Sequence, residues 1–240
     1  MFKYSKNSVL IGTILSLAIL ANTVLNSFNQ ATAAPEEPSI QIIKDAGAWR
    51  IVVVRTQGSL SAGVTYNLQR REDITSYVEA VQMFGPKAFK GQETIPALVT
   101  FRRPLTFERF LELINTSGAK VQSYRIRTVL TDGTRGTLGG VPEPDGTIVD
   151  RGHIQRLLDM SKKRSGQVAT VAGVVDAELL ISRSAYERLN QNTSDVYLID
   201  LMRAIAYQEL VTAGIRNASM ANVTVQGPYW FIEEFGLVGR

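Results

Sequence analysis

The chain has 240 residues, no cysteine, a single histidine and a formal net charge of +4. A hydrophobic fraction of 45% beside a charged fraction of 20% excludes disorder of the whole chain, and the missing thiols exclude disulfides, cysteine nucleophiles, zinc–thiolate sites and lipoprotein attachment. The charge gives no argument for nucleic acid: Lys3 and Lys6 supply two of the positive charges, and the clusters Arg70-Arg71, Arg102-Arg103 and Lys162-Lys163-Arg164 are scattered among acids.

The first segment, residues 1–34, reads as an export leader. Lys3 and Lys6 form a positive start, and an apolar stretch from Val9 to Leu25 follows. Ala31-Thr32-Ala33-Ala34 then places small residues where a signal peptidase needs them. The alternative is an uncut membrane anchor, since an apolar run of about 17 residues is at the low edge of what spans a bilayer. Either way the positive end stays inside and the remainder is expected outside the cytoplasm, secreted or held at the cell envelope. No other segment is apolar enough to cross, so membrane contact is expected only through this leader.

Residues 35–96 are expected to hold a Pro/Glu-rich linker over 35–40, a hairpin and a helix. The hairpin pairs Trp49–Arg55 with Ala62–Leu68 around Gln57-Gly58-Ser59. Asp73 is placed as the N-cap of a helix carrying Ile74, Tyr77, Val78, Val81 and Phe84, which Gly85-Pro86 ends.

Residues 97–201 form the main expected module. A strand over 97–101 is followed by a helix capped by Thr106, with Phe107, Phe110, Leu111 and Ile114 on one face and Gly118 at its C-terminal stop. A strand over 121–130 comes next. Residues 134–165 read as an insertion: a Gly/Pro-rich surface loop over 134–150, with no lysine placed to make it a phosphate loop, and a short helix over 154–160. A second unit then repeats the order. A strand over 168–181, broken near Asp176, leads to a helix capped by Ser182 with Ala185 and Leu189 inward, and then to the strand Val196–Ile199.

The resulting order β-α-β-β-α-β is that of a ferredoxin-like split β-α-β sheet, antiparallel and four-stranded, with both helices on one face. Residues 202–240 add a helix over 201–212, a strand over 222–226 and an aromatic tail. The expected class is therefore α+β, with an N-terminal hairpin and C-terminal helix-strand additions.

The segment GVVDAELLISRSAYERLNQNTSDVYLIDL, residues 173–201, resembles the second half of a subtilisin propeptide, the inhibitor-type prodomain of subtilisin-like proteases. Ser182, Ala185, Leu189, Val196 and Ile199-Asp200 fall where that family has a Ser-capped short helix packed on a sheet and a closing strand. The first half, Val99–Phe101 with the helix over 107–116, fits loosely. Two features depart from the family's pattern: about 30 residues separate the halves where a short link is usual, and no protease domain is expected to follow within these 240 residues. The resemblance implies a protein partner, a protease in its narrow form, met by the outer face of the sheet. The residues alternating outward there include Arg125, Arg127 and Tyr197. It also implies that the segment 227–240, if folded back over that face, would abolish the role.

Catalytic chemistry has few candidates. His153 is the only histidine and begins a short helix. Glu233-Glu234, Asp195 and Asp200 are carboxylates for acid–base work, with nothing in the sequence to single out a pair. Glu143, Asp145 and Asp150 match no calcium-loop spacing. The expectation is an exported, non-catalytic protein-binding module with no cofactor and no metal. The alternatives are an envelope-anchored structural or assembly protein and a carboxylate-dependent hydrolase.

Overall fold

The computed structural model describes residues 39–56, 59–215, 218–225 and 228–238. The leader, and Gln57 and Gly58 of the hairpin turn, lie outside the described residues. The chain is an α+β protein with two sheets. Its elements are β1 (Ser39–Asp45), β2 (Trp49–Thr56), β3 (Ser59–Tyr66), α1 (Arg71–Phe84), β4 (Thr94–Leu105), α2 (Phe107–Ser117), β5 (Lys120–Leu130), β6 (Arg135–Gly140), α3 (Arg151–Ser165), β7 (Ala169–Ser182), α4 (Arg183–Gln191), β8 (Val196–Asp200), α5 (Met202–Thr212), β9 (Val223–Val225) and α6 (Tyr229–Glu234). Short 3-10 turns at Gly85–Phe89 and Met220–Asn222 follow α1 and precede β9.

One sheet has the order β6-β5-β7-β4-β8, and every pairing in it is antiparallel. The other has the order β1-β2-β3-β9, with β9 parallel to β3. The α-helices α2 and α4 lie together on one face of the five-stranded sheet. Arg188 Nε of α4 donates to the Ser117 carbonyl of α2 at 2.9 Å, and Phe110 of α2 packs edge-on against Phe101 of β4.

The opposite face carries α1 and α5, and the four-stranded sheet lies beyond them. Arg203 of α5 pairs with Glu178 of β7 at 2.6 Å, while Glu209 of the same helix pairs with Lys44 of β1. Tyr77 of α1 meets the Tyr66 ring of β3 at 5.1 Å. The molecule is thus layered: α2 and α4, five-stranded sheet, α1 and α5, four-stranded sheet. Trp49, Ile51 and Val53 on β2 fill the inner side of the last layer.

Local chemistry accounts for most helix ends. The Thr106 hydroxyl accepts from the Arg109 amide at 3.2 Å and Ser182 from the Ala185 amide at 3.2 Å. Gly118 takes the left-handed conformation, φ 69°, that ends α2. Asp73 is not the N-cap of α1. The helix begins at Arg71, and Asp73, at its third position, reaches back to accept from the Arg70 amide at 2.9 Å.

Three further expectations are corrected. Residues 39–40, read as linker, belong to β1, whose Ile40 and Ile42 pair with Val54 and Val52. The stretch 134–150, read as a loop, contains β6. Its glycines leave room for the larger side chains of β5: a Cβ on Gly140 would collide with the Tyr124 ring, and one on Gly136 would lie 2.7 Å from Thr128 Oγ1. The break expected near Asp176 is not a gap, because β7 is one strand of 14 residues whose register against β5 slips instead.

Candidate functional site

The three residues expected on an outward partner surface are not one patch. Arg125 and Arg127 stand on β5 and Tyr197 on β8, with β7 and β4 between them. Arg125 is half-exposed and its guanidinium pairs with Asp176 at 2.6 Å. Asp176 is 1% exposed; burial raises its pKa, and Arg125 and Arg127 act in the opposite direction. Arg127 is 2% exposed. It pairs with Glu233 of α6, which also binds Arg135 at 3.0 Å, and its Nη1 donates to Thr137 Oγ1 at 3.0 Å. The C-terminal segment therefore covers the sheet at Arg127. Tyr197 is half-buried, with the Arg102 guanidinium 5.5 Å above its ring.

The other carboxylates divide by partner. Asp195 is buried and held by Arg109 through Nε at 2.9 Å and Nη2 at 2.7 Å. His153 is exposed, and its amide donates to the Asp150 side chain that caps α3. Among the described residues no group of three or more His, Asp or Glu side chains is placed to hold a metal ion.

Asp200 differs from the rest because it is buried and, among the described residues, forms no ion pair. Its Oδ2 accepts from the Tyr77 hydroxyl at 2.6 Å and its Oδ1 from the Met202 amide at 2.8 Å. Tyr77 is in turn 3.2 Å from the Tyr66 hydroxyl. Burial pushes the Asp200 carboxyl up to about 6, against the pull of those two hydrogen bonds. Burial, with the Asp200 charge next to it, also drives both phenols well above their ordinary value.

Beside this chain of groups, Glu178, Asp200 and Arg203 line a cleft of about 60 Å³ with Pro96, Leu98 and Val225. A raised carboxyl beside a second carboxylate is the chemistry of an acid–base pair. The space is not: sites for small molecules occupy roughly 300–1,000 Å³. Both Asp200 oxygens are already engaged, and Glu178 is neutralised by Arg203. The group is read as the tie between α1, β3 and β8.

A larger concavity than this cleft lies elsewhere among the described residues. It is an open groove of about 460 Å³ lined by Pro86, Lys87, Phe89, Lys90, Gly91 and Arg183. The sequence carries its signal in the run GPKAFKG, but Arg183 joins it only through the fold. Among the described residues, a second exposed surface is the outer side of the four-stranded sheet. There Ile40 is 64% and Ile42 54% exposed at the edge strand, and register places Val52 and Val54 beside them.

No family model, no curated protein and no solved structure matches the chain. No helix among the described residues is long and apolar enough to cross a membrane.

Proposed function

We propose that the chain is an exported, non-catalytic protein-binding module built on a ferredoxin-like split β-α-β sheet similar to a subtilisin propeptide. The strand order β5-β7-β4-β8, all antiparallel, with α2 and α4 in contact on one face, supports the fold part of this reading. One observation carries the binding part. Strand β1 is an edge of its sheet among the described residues, and it holds two isoleucines in solvent beside Val52 and Val54. An edge strand with an apolar face is where an extended segment of another protein adds by backbone pairing, its alternate side chains taking up the apolar row. The sheet face used by propeptides is occupied here by α1, α5 and α6, so the binding surface is assigned to β1.

The test is capture of partners from the extracytoplasmic fraction of the host, with mass spectrometry. Wild type is compared with Ile40→Asp/Ile42→Asp and with a Val141→Asp control at another exposed apolar residue. The expected result is a partner lost only in the double variant. A protease as that partner would show as inhibition of a subtilisin-like enzyme with the same dependence on Ile40 and Ile42. Loss of function clustered at Asp200 and Glu178, with Ile40 and Ile42 tolerant, would overturn the reading in favour of a hydrolase.

A further inference from the structure

We infer that the groove between the Gly85–Phe89 turn and the start of α4 binds an acidic, extended protein segment, taking its carboxylates on Lys87, Lys90 and Arg183 and an apolar side chain over Pro86 and Phe89. This rests on the reading of the chain as a protein-binding module and names a second contact and its chemistry.

Three observations converge. First, the lining is one-signed: three cations and no acid, and the ion pairs of the described residues include none of the three. Cations left without counter-charges around one concavity raise the local potential and draw in an anionic segment. Second, the groove has an apolar floor. Phe89 is 7% exposed and is held edge-on by Tyr186 at 5.8 Å, so a ligand with both carboxylates and an apolar side chain matches it better than an inorganic anion.

Third, the wall is fixed before any ligand arrives. Gln208 Nε2 of α5 donates to the Ala88 carbonyl at 2.9 Å, and Arg183 Nη2 reaches the Pro86 carbonyl at 3.4 Å. Gly85 lies so close to α4 that a Cβ there would stand 2.7 Å from the Tyr186 hydroxyl. A turn pinned by two helices loses little freedom on binding, which favours affinity at a shallow surface. The volume of about 460 Å³ is enough to take a ligand group of side-chain size.

The experiment is fluorescence anisotropy on the purified full chain. The probe is a labelled heptapeptide of glutamates around a central phenylalanine; its counterpart has every glutamate replaced by glutamine. The expected result is saturable binding of the acidic peptide, weakened at least about tenfold in the glutamine peptide and falling as salt rises. Lys87→Glu/Lys90→Glu should weaken it by a similar factor. Lys162→Glu/Lys163→Glu, the same change of net charge in the last turn of α3, should leave it intact. No binding, equal binding of the glutamine peptide, or equal loss in both double variants would overturn the assignment. So would tighter binding to phosphatidylglycerol vesicles than to the peptide, which would make the groove a membrane contact. Failure of the module reading is registered separately, in the Ile40- and Ile42-dependent capture, which does not involve this groove.

Discussion

Asp200 receives hydrogen bonds from Tyr77 and the Met202 amide, yet burial outweighs both and its carboxyl titrates at about 6. An aspartate in the unfolded chain titrates near 3.9. The stability Asp200 contributes is therefore whole below about pH 4, where both states hold the proton. It is lost as pH rises through about 6, where the fold must bury an ionised group. Raising the carboxyl from near 3.9 to about 6 corresponds to about 3 kcal/mol. Urea unfolding at a series of pH values should show wild type losing up to about that much between pH 4 and 7 relative to Asp200→Asn, which cannot ionise. Parallel curves would mean that Asp200 titrates like an exposed carboxyl. Tyr77→Phe removes a donor to the same carboxylate and should cost about 1–3 kcal/mol at pH 7 while moving the Asp200 midpoint higher. Little of this is legible in the sequence. Asp200 stands there as one acid among several, because its burial depends on α1 and β3, which are far from it along the chain.

The elements divide by what specifies them. Helices α2 and α4 are readable because caps and periodic apolar faces are local: Thr106 with Phe110, and Ser182 with Leu189, each lie within a few residues. Strands β1 and β6 are not, since each exists through a partner. In β6 the glycines look like loop residues until Tyr124 is set opposite Gly140. Gly140→Ala should accordingly cost about 1–3 kcal/mol by forcing the Tyr124 ring or the strand to move. An Ala at exposed Gly133, which meets no neighbour, tests only backbone strain at φ 82°. Helix α6 is tied to β5 and β6 by Glu233. Removing that carboxylate by Glu233→Ala should cost about 3–5 kcal/mol, because Arg127 stays buried. The pair Arg127→Met/Glu233→Leu should recover most of the loss, with thermal unfolding as the readout.

At the scale of the whole molecule, the two sheets are not independent bodies. Helices α1 and α5 bury one face against each, and the Tyr66–Tyr77–Asp200 chain runs from the four-stranded to the five-stranded sheet. Unfolding should then be one transition. Trp49, 3% exposed on β2, reports on the four-stranded sheet. In a Trp230→Phe background its fluorescence should fall at the same urea concentration as the circular dichroism of the whole chain; two separated midpoints would show that the layers part. Strands β4, β5, β7 and β8 and helices α2 and α4 are readable along the chain, whereas β6 and α3 stand between β5 and β7 and lengthen the expected β-α-β-β-α-β order. The sequence does not reveal the layering, which depends on which face of each amphipathic helix meets which sheet.

Strand β9, at the far end of the chain, pairs with β3 near its beginning. A ribosome makes β1, β2 and β3 first and β9 almost last, so the four-stranded sheet cannot be completed while the chain is still emerging. Until then the side of β3 that will receive β9 is an open edge, and closing it requires a loop from Tyr66 to Val223, about two-thirds of the chain, a slow step on entropic grounds. The nascent chain therefore has a long interval in which that edge of β3 is open to pairing. A chaperone that holds it until the terminus is released would act on this edge rather than on any helix.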